Sequence, residues 1–375
     1  MASGHLKPRK NKDGSTSYQI TIELDRDPIT GKRKRHYVTV NGTKKQAQIE
    51  LRRLLTEYES GNIVNPSTMP LKAWVTQWLN DYNPNIEDTT RDSYEEKIRN
   101  HIAPNIGTIP LKSLNAMAIQ SWINDMKKRG LSSKTIRNTF NILNPALKKA
   151  LEMQMIKSNP CESAVLPKLQ KPKITVYDTA QIKQVLSTAK GTDIYIMVLL
   201  GLSLGLRRGE ICALKWSHIN WDSKTIKIDE NRVHAKKSVK EKAPKTDAGT
   251  REITVGDDVL AELQKANSEY RQKAKAVGFH DLDYVIYKED GKPYHPDSLT
   301  QKWTRFTKKN KLPHIKLHGT RHTNATAMIQ AGVSAKVVQE RLGHSDVGTT
   351  MRYYVHTLPS MNQEAAEKLD SILFA

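Results

Sequence analysis

The sequence predicts a multidomain protein that is mainly α-helical and carries small β-sheets. With 375 residues, the chain is long enough for two or three domains. Apolar residues recur at helical spacing through most of the chain, whereas short segments near the N-terminus and beyond residue 220 alternate as strands do. Polar, proline-bounded stretches at 62–70 and 167–173 divide the chain into predicted domains of 1–66, 67–167 and 174–375.

The first predicted domain is a small sheet with one helix. Residues 17–24 alternate apolar and polar side chains, 28–32 are typical of a turn, and 34–40 form a second strand. Residues 44–60 then place apolar side chains at helical spacing. We therefore expect two strands joined by a turn and followed by a helix.

A run of four basic residues lies at the predicted turn: Lys32, Arg33, Lys34 and Arg35. One interpretation is a solvated turn, because charged residues favour exposed loops. The other is a strand edge placed against DNA phosphates or a groove, since a β-ribbon can enter the major groove. The net charge of the chain favours the second interpretation.

The charge balance points to a polyanionic partner. Lys and Arg number 60 against 39 Asp and Glu, which gives a formal net charge of +21. Nucleic acid is the favoured partner, with an anionic membrane surface as the alternative. There is no long apolar run that predicts a membrane span, and the basic residues 1–12 lack the apolar core of a secretory signal. Cys161 and Cys212 are not arranged as a metal site, and we expect both to be reduced.

The second predicted domain is helical throughout. Helices are expected at 71–82, 89–102, 116–129 and 132–155. Thr89 is a candidate N-cap of the second helix, and Gly130 ends the third. Trp74, Trp78 and Trp122 lie in apolar helical stripes, so they are expected in the core rather than stacked on bases.

The start of the fourth helix is a candidate phosphate-contact surface. It carries hydroxyl and basic side chains at Ser133, Lys134, Thr135 and Arg137. Backbone N–H groups at a helix N-terminus favour anions, and such side chains commonly contact DNA phosphates. The alternative is ordinary capping by Ser132 or Ser133, which does not exclude DNA contact.

The third predicted domain mixes helices and strands. Helices are expected at 179–189, 193–203, 211–216 and 257–276, and strands at 225–228 and 251–255 on either side of a polar loop. The remaining residues are expected to be helical around two histidine motifs. An apolar helix is also predicted in the tail, 359–375.

This domain carries an ordered set of motifs suited to attack on a phosphodiester. They are Gly-Leu-Arg-Arg-Gly-Glu at 205–210, His-Gly-Thr-Arg-His at 318–322, Leu-Gly-His at 342–344 and Tyr-Tyr-Val-His at 353–356. Arginine donates two hydrogen bonds to phosphate oxygens and stays charged, while histidine positions and moves protons. A tyrosine hydroxyl can act as the nucleophile. No motif suggests a metal or a nucleotide cofactor.

In this order, the four motifs resemble those of the tyrosine recombinases, the integrase family of phages and conjugative transposons. The resemblance covers nearly the whole chain and is strongest over 175–357. It implies an N-terminal arm-type DNA-binding domain, a helical SAM-like core-binding domain and a mixed α/β catalytic domain. It further implies a homotetramer on double-stranded DNA, with core and arm sites, that integrates and excises element DNA through a 3′-phosphotyrosyl intermediate and a Holliday junction, without a cofactor.

The resemblance also implies roles for particular residues. Arg207 and Arg321 would neutralise the phosphate, and Arg208 competes with Arg207 within the first motif. The remaining roles fall to His318 as a catalytic histidine, His344 as a hydrogen-bond donor to the scissile phosphate, and Glu210 and His322 as supporting residues. Glu210 lies three residues after Arg207, so both share one helical face.

The general acid and the nucleophile each have rivals. Lys245 matches the lysine of a mobile β-hairpin that donates a proton to the leaving oxygen. Its rivals in the same loop are Lys236, Lys237, Lys240 and Lys242. Tyr354 fits the family spacing as the nucleophile, with Tyr353 as the alternative.

Two other functions share these features: a type IB topoisomerase-like enzyme and a DNA-binding protein without catalysis. The two N-terminal domains argue against the first, and the complete motif set argues against the second. Family members often use an excision factor and a host DNA-bending protein, which are candidate partners. The tail helix could dock on a neighbouring subunit or fold back on its own domain. The expected location is the bacterial cytoplasm, in association with the nucleoid.

Overall fold

The computed structural model describes residues 3–11, 14–26, 33–59, 67–169, 175–235, 238–243, 247–278, 283–354, 366–367 and 369–374. The chain divides into two compact units, Met1–Gln170 and Lys171–Ala375. Helices predominate and the sheets are small and antiparallel, so the predicted fold class is confirmed. No helix among the described residues is long and apolar enough to cross a membrane.

The N-terminal sheet has three strands rather than the two predicted. They are β1 (Ser3–Lys10), β2 (Thr16–Arg26) and β3 (Arg33–Asn41), paired antiparallel in that order, and α1 (Lys44–Glu59) follows. Ile20, Ile22 and Leu54 form the buried core between sheet and helix. Strand β1 was not predicted because this segment is basic and contains Pro8. An edge strand tolerates a proline that a central strand would not.

Four α-helices build the rest of the first unit: α2 (Leu71–Asp81), α3 (Asp88–Lys97), α4 (Ala116–Lys128) and α5 (Ser133–Glu152). Trp74, Trp78 and Trp122 are buried, as predicted. The indole N–H groups are paired inside the protein: Trp74 Nε1 donates to Ala146 O at 2.8 Å, and Trp122 Nε1 donates to His101 O at 2.8 Å.

Two helix boundaries in this unit differ from the prediction. Thr89 is not the N-cap of α3. The carbonyl of Glu87 accepts hydrogen bonds from the N–H groups of Thr90 and Arg91, at 2.9 and 2.8 Å, so the helix begins at Asp88. The segment directly after α3, Ile98–Ile102, forms a π-helical turn. The helix predicted to reach residue 155 ends at Glu152.

The second unit contains the remaining elements. In chain order they are α6 (Thr179–Ala189), α7 (Tyr195–Ser203), α8 (Arg208–Ala213), β4 (Ile219–Asn220), β5 (Thr225–Ile228), β6 (Asn231–Ala235), β7 (Ser238–Lys242), β8 (Arg251–Thr254), α9 (Asp257–Val277), α10 (Pro296–Lys309), α11 (Leu317–Gln330), α12 (Ala335–Leu342) and α13 (Val347–Tyr354). Strands β4, β5 and β8 form one sheet in that order, and β6 pairs with β7 alone. The helix predicted at 211–216 therefore begins and ends three residues earlier.

The loop predicted between the strands at 225–228 and 251–255 contains the β6–β7 hairpin, which the sequence analysis missed. Its strands are polar on both faces, so they lack the alternation that marks a half-buried strand. Strand β6 packs closely on the start of α8. A Cβ at Gly209 would overlap the side chain of Asn231 and lie 2.6 Å from Arg232 O, so this contact requires glycine.

Both cysteines are free and buried, in line with the expectation that they are reduced. Burial raises the pKa of Cys161 and of Cys212 to about 12. Neither thiol is therefore ionised near neutral pH, and neither is suited to act as a nucleophile.

Candidate active site

The first arginine motif begins at a glycine that the packing requires. Gly205 has a φ of +62°, in the left-handed region. A Cβ at this position would overlap the side chain of Leu342 and lie 2.7 Å from Asn324 Oδ1. The carbonyl of Gly205 accepts a hydrogen bond from Arg321 Nη1 at 2.7 Å. Three of the four motifs therefore meet at Gly205.

Arg207 lies directly before α8 and is held by that helix. Its Nη1 donates to Glu210 Oε1 at 2.7 Å, and its backbone N–H donates to Glu210 Oε2 at 2.8 Å. Its side chain is 35% exposed, whereas that of Glu210 is 3% exposed. A guanidinium fixed by a buried carboxylate but still accessible can bind an incoming phosphate.

Arg208, the competitor of Arg207, makes different contacts. Its Nη1 donates to Asp297 Oδ1 at 2.7 Å and to Thr300 Oγ1 at 3.1 Å, both on α10. The two neighbouring arginines of the motif are thus held by separate groups of partners.

Glu210 also binds a second arginine, Arg251, at the start of β8. Arg251 Nη2 donates to Glu210 Oε2 at 2.9 Å, and Nη1 donates to Oε1 at 3.2 Å. Burial alone would raise the pKa of Glu210. The hydrogen bonds and charge of Arg251, with the charge of Arg207, outweigh burial and lower this pKa to about 2. The carboxylate is therefore ionised at neutral pH.

Arg251 was not predicted as a site residue. Its side chain is only 6% exposed. In the sequence it is one basic residue among many at the edge of a polar loop, and only the folded structure reveals its burial against Glu210.

Three arginines donate hydrogen bonds to three successive carbonyls at the C-terminal end of α12. Arg251 Nε donates to Arg341 O at 2.8 Å, Arg321 Nη2 to Leu342 O at 2.6 Å, and Arg207 Nη2 to Gly343 O at 2.6 Å. The last carbonyls of a helix have no partner within the helix and carry the negative end of its dipole. The helix end therefore offsets part of the repulsion among three clustered cations.

Arg321 is the most enclosed of these arginines, with 1% of its surface exposed. It projects from α11, which also carries His318 and His322. The two histidine rings contact edge to face, with centroids 4.6 Å apart. The second motif therefore brings a buried guanidinium and two imidazoles onto one stretch of helix.

The two histidines of α11 are neutral at pH 7. Desolvation, followed by the charges of His322, Arg321 and Arg207, lowers the pKa of His318 to about 4, although His318 remains exposed at the surface. Burial and the charge of Arg321 lower the pKa of His322 as well.

His344 is buried at the start of the segment between α12 and α13. Its ring Nδ1 shares a hydrogen bond of 2.9 Å with Thr350 Oγ1. Its backbone N–H donates to Gln339 O at 3.1 Å. Burial, then the charges of Arg321, Arg207 and other neighbours, lowers the pKa of His344 to about 3. Thr350, which the sequence analysis did not single out, is fully buried on α13.

The structure thus brings most of the predicted catalytic and supporting residues into one cluster. Its members are Arg207, Glu210, His318, Arg321, His322 and His344. The predicted general acid Lys245 lies outside the described residues, as do its rivals Lys236 and Lys237. Helix α13 carries Tyr353 and Tyr354 at its end, and their side chains are outside the described part of the chain.

The predicted DNA-binding residues of the N-terminal domain lie partly outside the described residues. Lys32 and the predicted turn 28–32 are outside them, and so are the side chains of Arg33 and Lys34, whose backbones begin β3. Arg35 is exposed and forms an ion pair of 3.3 Å with Glu23.

The predicted phosphate-contact residues on α5 are all described. Ser132 is the N-cap, and its Oγ accepts the N–H of Thr135 at 3.1 Å. Lys134 is exposed, and Ser133 and Thr135 are partly exposed. Arg137 Nε donates to Pro167 O at 2.7 Å, which ties α5 to the end of this unit.

Comparison with known proteins defines the class to which this fold and site belong. Residues 175–360 match the phage integrase family, and residues 71–127 match the N-terminal SAM-like domain of phage integrases. These matches identify the protein as a site-specific recombinase, an enzyme that breaks and rejoins DNA. The chain belongs to the phage integrase family, the tyrosine recombinases.

Several curated proteins are similar over nearly the full chain. A XerC-like tyrosine recombinase of Caldanaerobacter subterraneus is 28% identical, over 96% of this chain and 97% of its own length. The ICEBs1 integrase of Bacillus subtilis is 23% identical, over 95% of this chain and 97% of its own. The transposase of transposon Tn916 from Enterococcus faecalis is 25% identical, over 67% and 65% respectively.

Solved structures share the fold. The Tn1549 transposon integrase in complex with transposon right end DNA has a TM-score of 0.68 and 22% identity, and covers 82% of this chain and 100% of that one. A lambda integrase tetramer bound to a Holliday junction has a TM-score of 0.58 and 18% identity, over 92% of this chain and 94% of its own.

Proposed function

We propose that this protein is the integrase of a mobile element, which cleaves and rejoins double-stranded DNA through a 3′-phosphotyrosyl intermediate. The observation that carries the proposal is the set of three arginines on the last carbonyls of α12, beside neutral histidines and directly before the tyrosine helix α13. Fixed cations of this kind stabilise the charge that develops on a phosphate under attack.

Arg207 and Arg321 are the residues that we assign to the phosphate. The partial exposure of Arg207 supports its role, since its guanidinium is accessible while Glu210 holds it in place. Arg208 is bonded to α10 instead, which favours Arg207 as the catalytic arginine of the pair. His318 and His344 are assigned to the same phosphate, because a neutral imidazole has a ring N–H that can donate a hydrogen bond to a phosphate oxygen.

Tyr354 is assigned as the nucleophile. Tyr353 and Tyr354 both lie at the end of α13, whose Thr350 is bonded to His344. The spacing from the last histidine motif favours Tyr354.

The proposed reaction conserves the energy of the phosphodiester. The hydroxyl oxygen of Tyr354 attacks phosphorus and its proton passes to solvent, the bond from phosphorus to the 5′ oxygen breaks, and Lys245 gives a proton to that oxygen. The 5′ hydroxyl of a partner duplex then attacks the phosphotyrosine and returns its proton to Lys245. The bond from phosphorus to the tyrosine oxygen breaks, and that oxygen takes a proton back from solvent. Two such exchanges, one for each strand, pass through a Holliday junction and require no cofactor.

The remaining parts of the chain fit an assembly on DNA. We assign 1–66 to arm-type sites, through Lys32 to Arg35, and 67–167 to the core site, through the start of α5. We further propose a homotetramer, because two duplexes with two cleavage sites each require four active sites. The apolar side chains of the tail at Leu369, Ile372 and Phe374 are exposed, which favours docking on a neighbouring subunit. An excision factor, a host DNA-bending protein and action on DNA in the bacterial cytoplasm belong to the same proposal.

Covalent capture on DNA tests this function and its nucleophile together. The substrate is a nicked duplex that carries the end of the encoding element, and the proteins are wild type, Tyr354→Phe and its matched control Tyr353→Phe. We expect a denaturation-resistant protein–DNA band with wild type and Tyr353→Phe, and none with Tyr354→Phe. Loss only in Tyr353→Phe would move the nucleophile by one residue.

Two further outcomes would overturn larger parts of the proposal. If wild type binds the duplex but gives no covalent band, the protein is a DNA-binding protein without catalysis. If it forms the band and relaxes supercoiled DNA but never joins two sites, a type IB topoisomerase-like function replaces recombination.

A further inference from the structure

A cluster of two histidines and one aspartate lies beside Arg208, the second arginine of the first motif. His234 is on β6, His295 is the N-cap of α10, and Asp297 lies in the first turn of α10. Their potential ligand atoms all lie within 4.8 Å of one another. Among the described residues, no other group of three histidine, cysteine or carboxylate side chains meets in this way.

The spacing of these atoms suits a tetrahedral metal ion. His234 Nδ1 lies 3.2 Å from Asp297 Oδ2, and His295 Nδ1 lies 3.7 Å from the same oxygen. Zinc bonds of about 2.0–2.2 Å in a tetrahedron place neighbouring ligand atoms roughly 3.3–3.6 Å apart. Both distances are close to this value without any rearrangement of the backbone.

The carboxylate of Asp297 is oriented by a hydrogen bond from Arg208. Its Oδ1 accepts a hydrogen bond from Arg208 Nη1 at 2.7 Å, and Arg208 also donates to Thr300 Oγ1. Oδ2 is the oxygen that lies near both histidines. Carboxylate ligands of metal ions are commonly held in this manner, with one oxygen hydrogen-bonded and the other on the metal.

We propose that His234, His295 and Asp297 bind a divalent transition metal ion of the zinc class, with water in the fourth position. Imidazole nitrogen and carboxylate oxygen together are suited to Zn²⁺, and three protein ligands leave one position open. His295 Nδ1 accepts the N–H of Asp297 at 3.1 Å, so binding through this nitrogen exchanges a helix-cap hydrogen bond for a metal bond.

The ion would fix the β6–β7 hairpin to α10. Strand β6 supplies His234 and packs on the start of α8 at Gly209, while α10 supplies the other two ligands and binds Arg208. The hairpin leads into the segment that carries Lys245. A metal at this point would therefore act as a structural clamp between the hairpin and α10.

No metal site was predicted from the sequence because the three proposed ligands do not form a motif. His234 is separated by a long stretch of chain from His295 and Asp297, and these two are only two residues apart on one helix start. Only the packing of β6 on the second unit's helices brings the three side chains together.

The proposal is tested by zinc titration of the full-length chain. The protein carries no histidine tag and is first dialysed against a chelator. The variants are His234→Ala and His295→Asn; asparagine keeps a good N-cap but removes the imidazole. The matched control is His218→Ala, which removes a histidine that lies 3.8 Å from a single carboxylate, Asp229. Calorimetry with zinc chloride measures stoichiometry and affinity, and circular dichroism checks that each variant is folded.

We expect one Zn²⁺ per chain in wild type and in His218→Ala, and affinity weakened by more than about tenfold in the two ligand variants. Absence of binding by wild type would overturn the proposal, and so would equal binding by all four proteins. Cobalt provides a readout that needs no variant, because Co²⁺ in a tetrahedral site absorbs strongly in the visible range. The absence of that band from wild type would exclude the tetrahedral site. No DNA is present, so the result is independent of recombination.

Discussion

Glu210 lies between two guanidinium groups, with its Oε2 2.9 Å from Arg251 Nη2 and its Oε1 2.7 Å from Arg207 Nη1. One of these arginines is buried and the other is partly exposed. The buried Arg251 anchors the carboxylate of Glu210. The carboxylate in turn positions Arg207, which is partly exposed to solvent. A partly exposed guanidinium is thus held in place by an ion pair inside the fold.

We predict that Glu210→Ala destabilises the second unit strongly. It leaves the buried cation of Arg251 without its carboxylate, and breaking a buried pair in this way costs about 3–5 kcal/mol. Urea unfolding followed by circular dichroism measures the change. The control is Glu262→Ala, because Glu262 pairs with Lys190 at the surface and its loss should matter little. Equal effects of the two variants would contradict the buried-pair interpretation.

We predict that stability falls in acid, and that His344 contributes to the fall. Its pKa is lowered from 6.5 to about 3 in the folded chain, so between these values the unfolded chain binds a proton that the native state does not. The free energy of unfolding therefore decreases as pH falls below 6.5. Glu210, with a pKa lowered from 4.5 to about 2, adds a further loss below pH 4.5.

The contribution of His344 is separated by comparison with His344→Gln. Urea unfolding from pH 4 to pH 8 should show a shallower pH dependence between about 4 and 6.5 in the variant, because the titrating group is gone. Identical slopes for the two proteins would show that His344 is not the group responsible.

Much of the cluster could be predicted from sequence because its members occur in short motifs. Arg207 and Glu210 share one motif, and His318 and Arg321 share another, so local spacing already places each pair on one element. Arg251 and Thr350 could not be found in this way. Each is an ordinary polar residue in the sequence, and its role depends on burial and on partners from distant elements.

The secondary structure was likewise predicted where it leaves a local pattern in the sequence, and it was missed where it depends on distant partners. Helices with an apolar stripe, such as α6 and α9, were predicted closely because their periodicity follows from burial on one face. The strands β1, β6 and β7 have few apolar residues and are stabilised by pairing with a neighbouring strand. Pairing of this kind leaves little trace in local sequence.

We predict that Gly205→Ala is more damaging than an ordinary substitution at a left-handed glycine. The backbone conformation alone costs an alanine roughly 1–2 kcal/mol. Here the methyl group would also overlap Leu342 and displace the carbonyl that accepts from Arg321. Gly332→Ala is the control, since Gly332 has a φ of +79° and nothing lies within 4 Å of the added Cβ. Chemical unfolding should show a clearly larger loss for Gly205→Ala; equal losses would argue against the close packing.

The last prediction separates the two neighbouring arginines of the first motif. Arg207→Lys keeps the charge but loses the planar fork that binds Glu210 and Gly343 O and that we propose binds the phosphate. Loss of one such donor lowers a rate by about 10²–10³-fold. Single-turnover formation of the covalent protein–DNA band should fall by that factor in Arg207→Lys, while DNA binding measured by gel shift changes little.

Arg208→Lys is the matched control for this measurement, because the same chemical change is made one residue along the chain. Its guanidinium is bonded to Asp297 and Thr300, so the cleavage rate should stay within a few-fold of wild type. If Arg208→Lys instead shows the large loss and Arg207→Lys does not, the catalytic arginine is the second of the pair. In that case the contact of Arg207 with the end of α12 serves the fold alone.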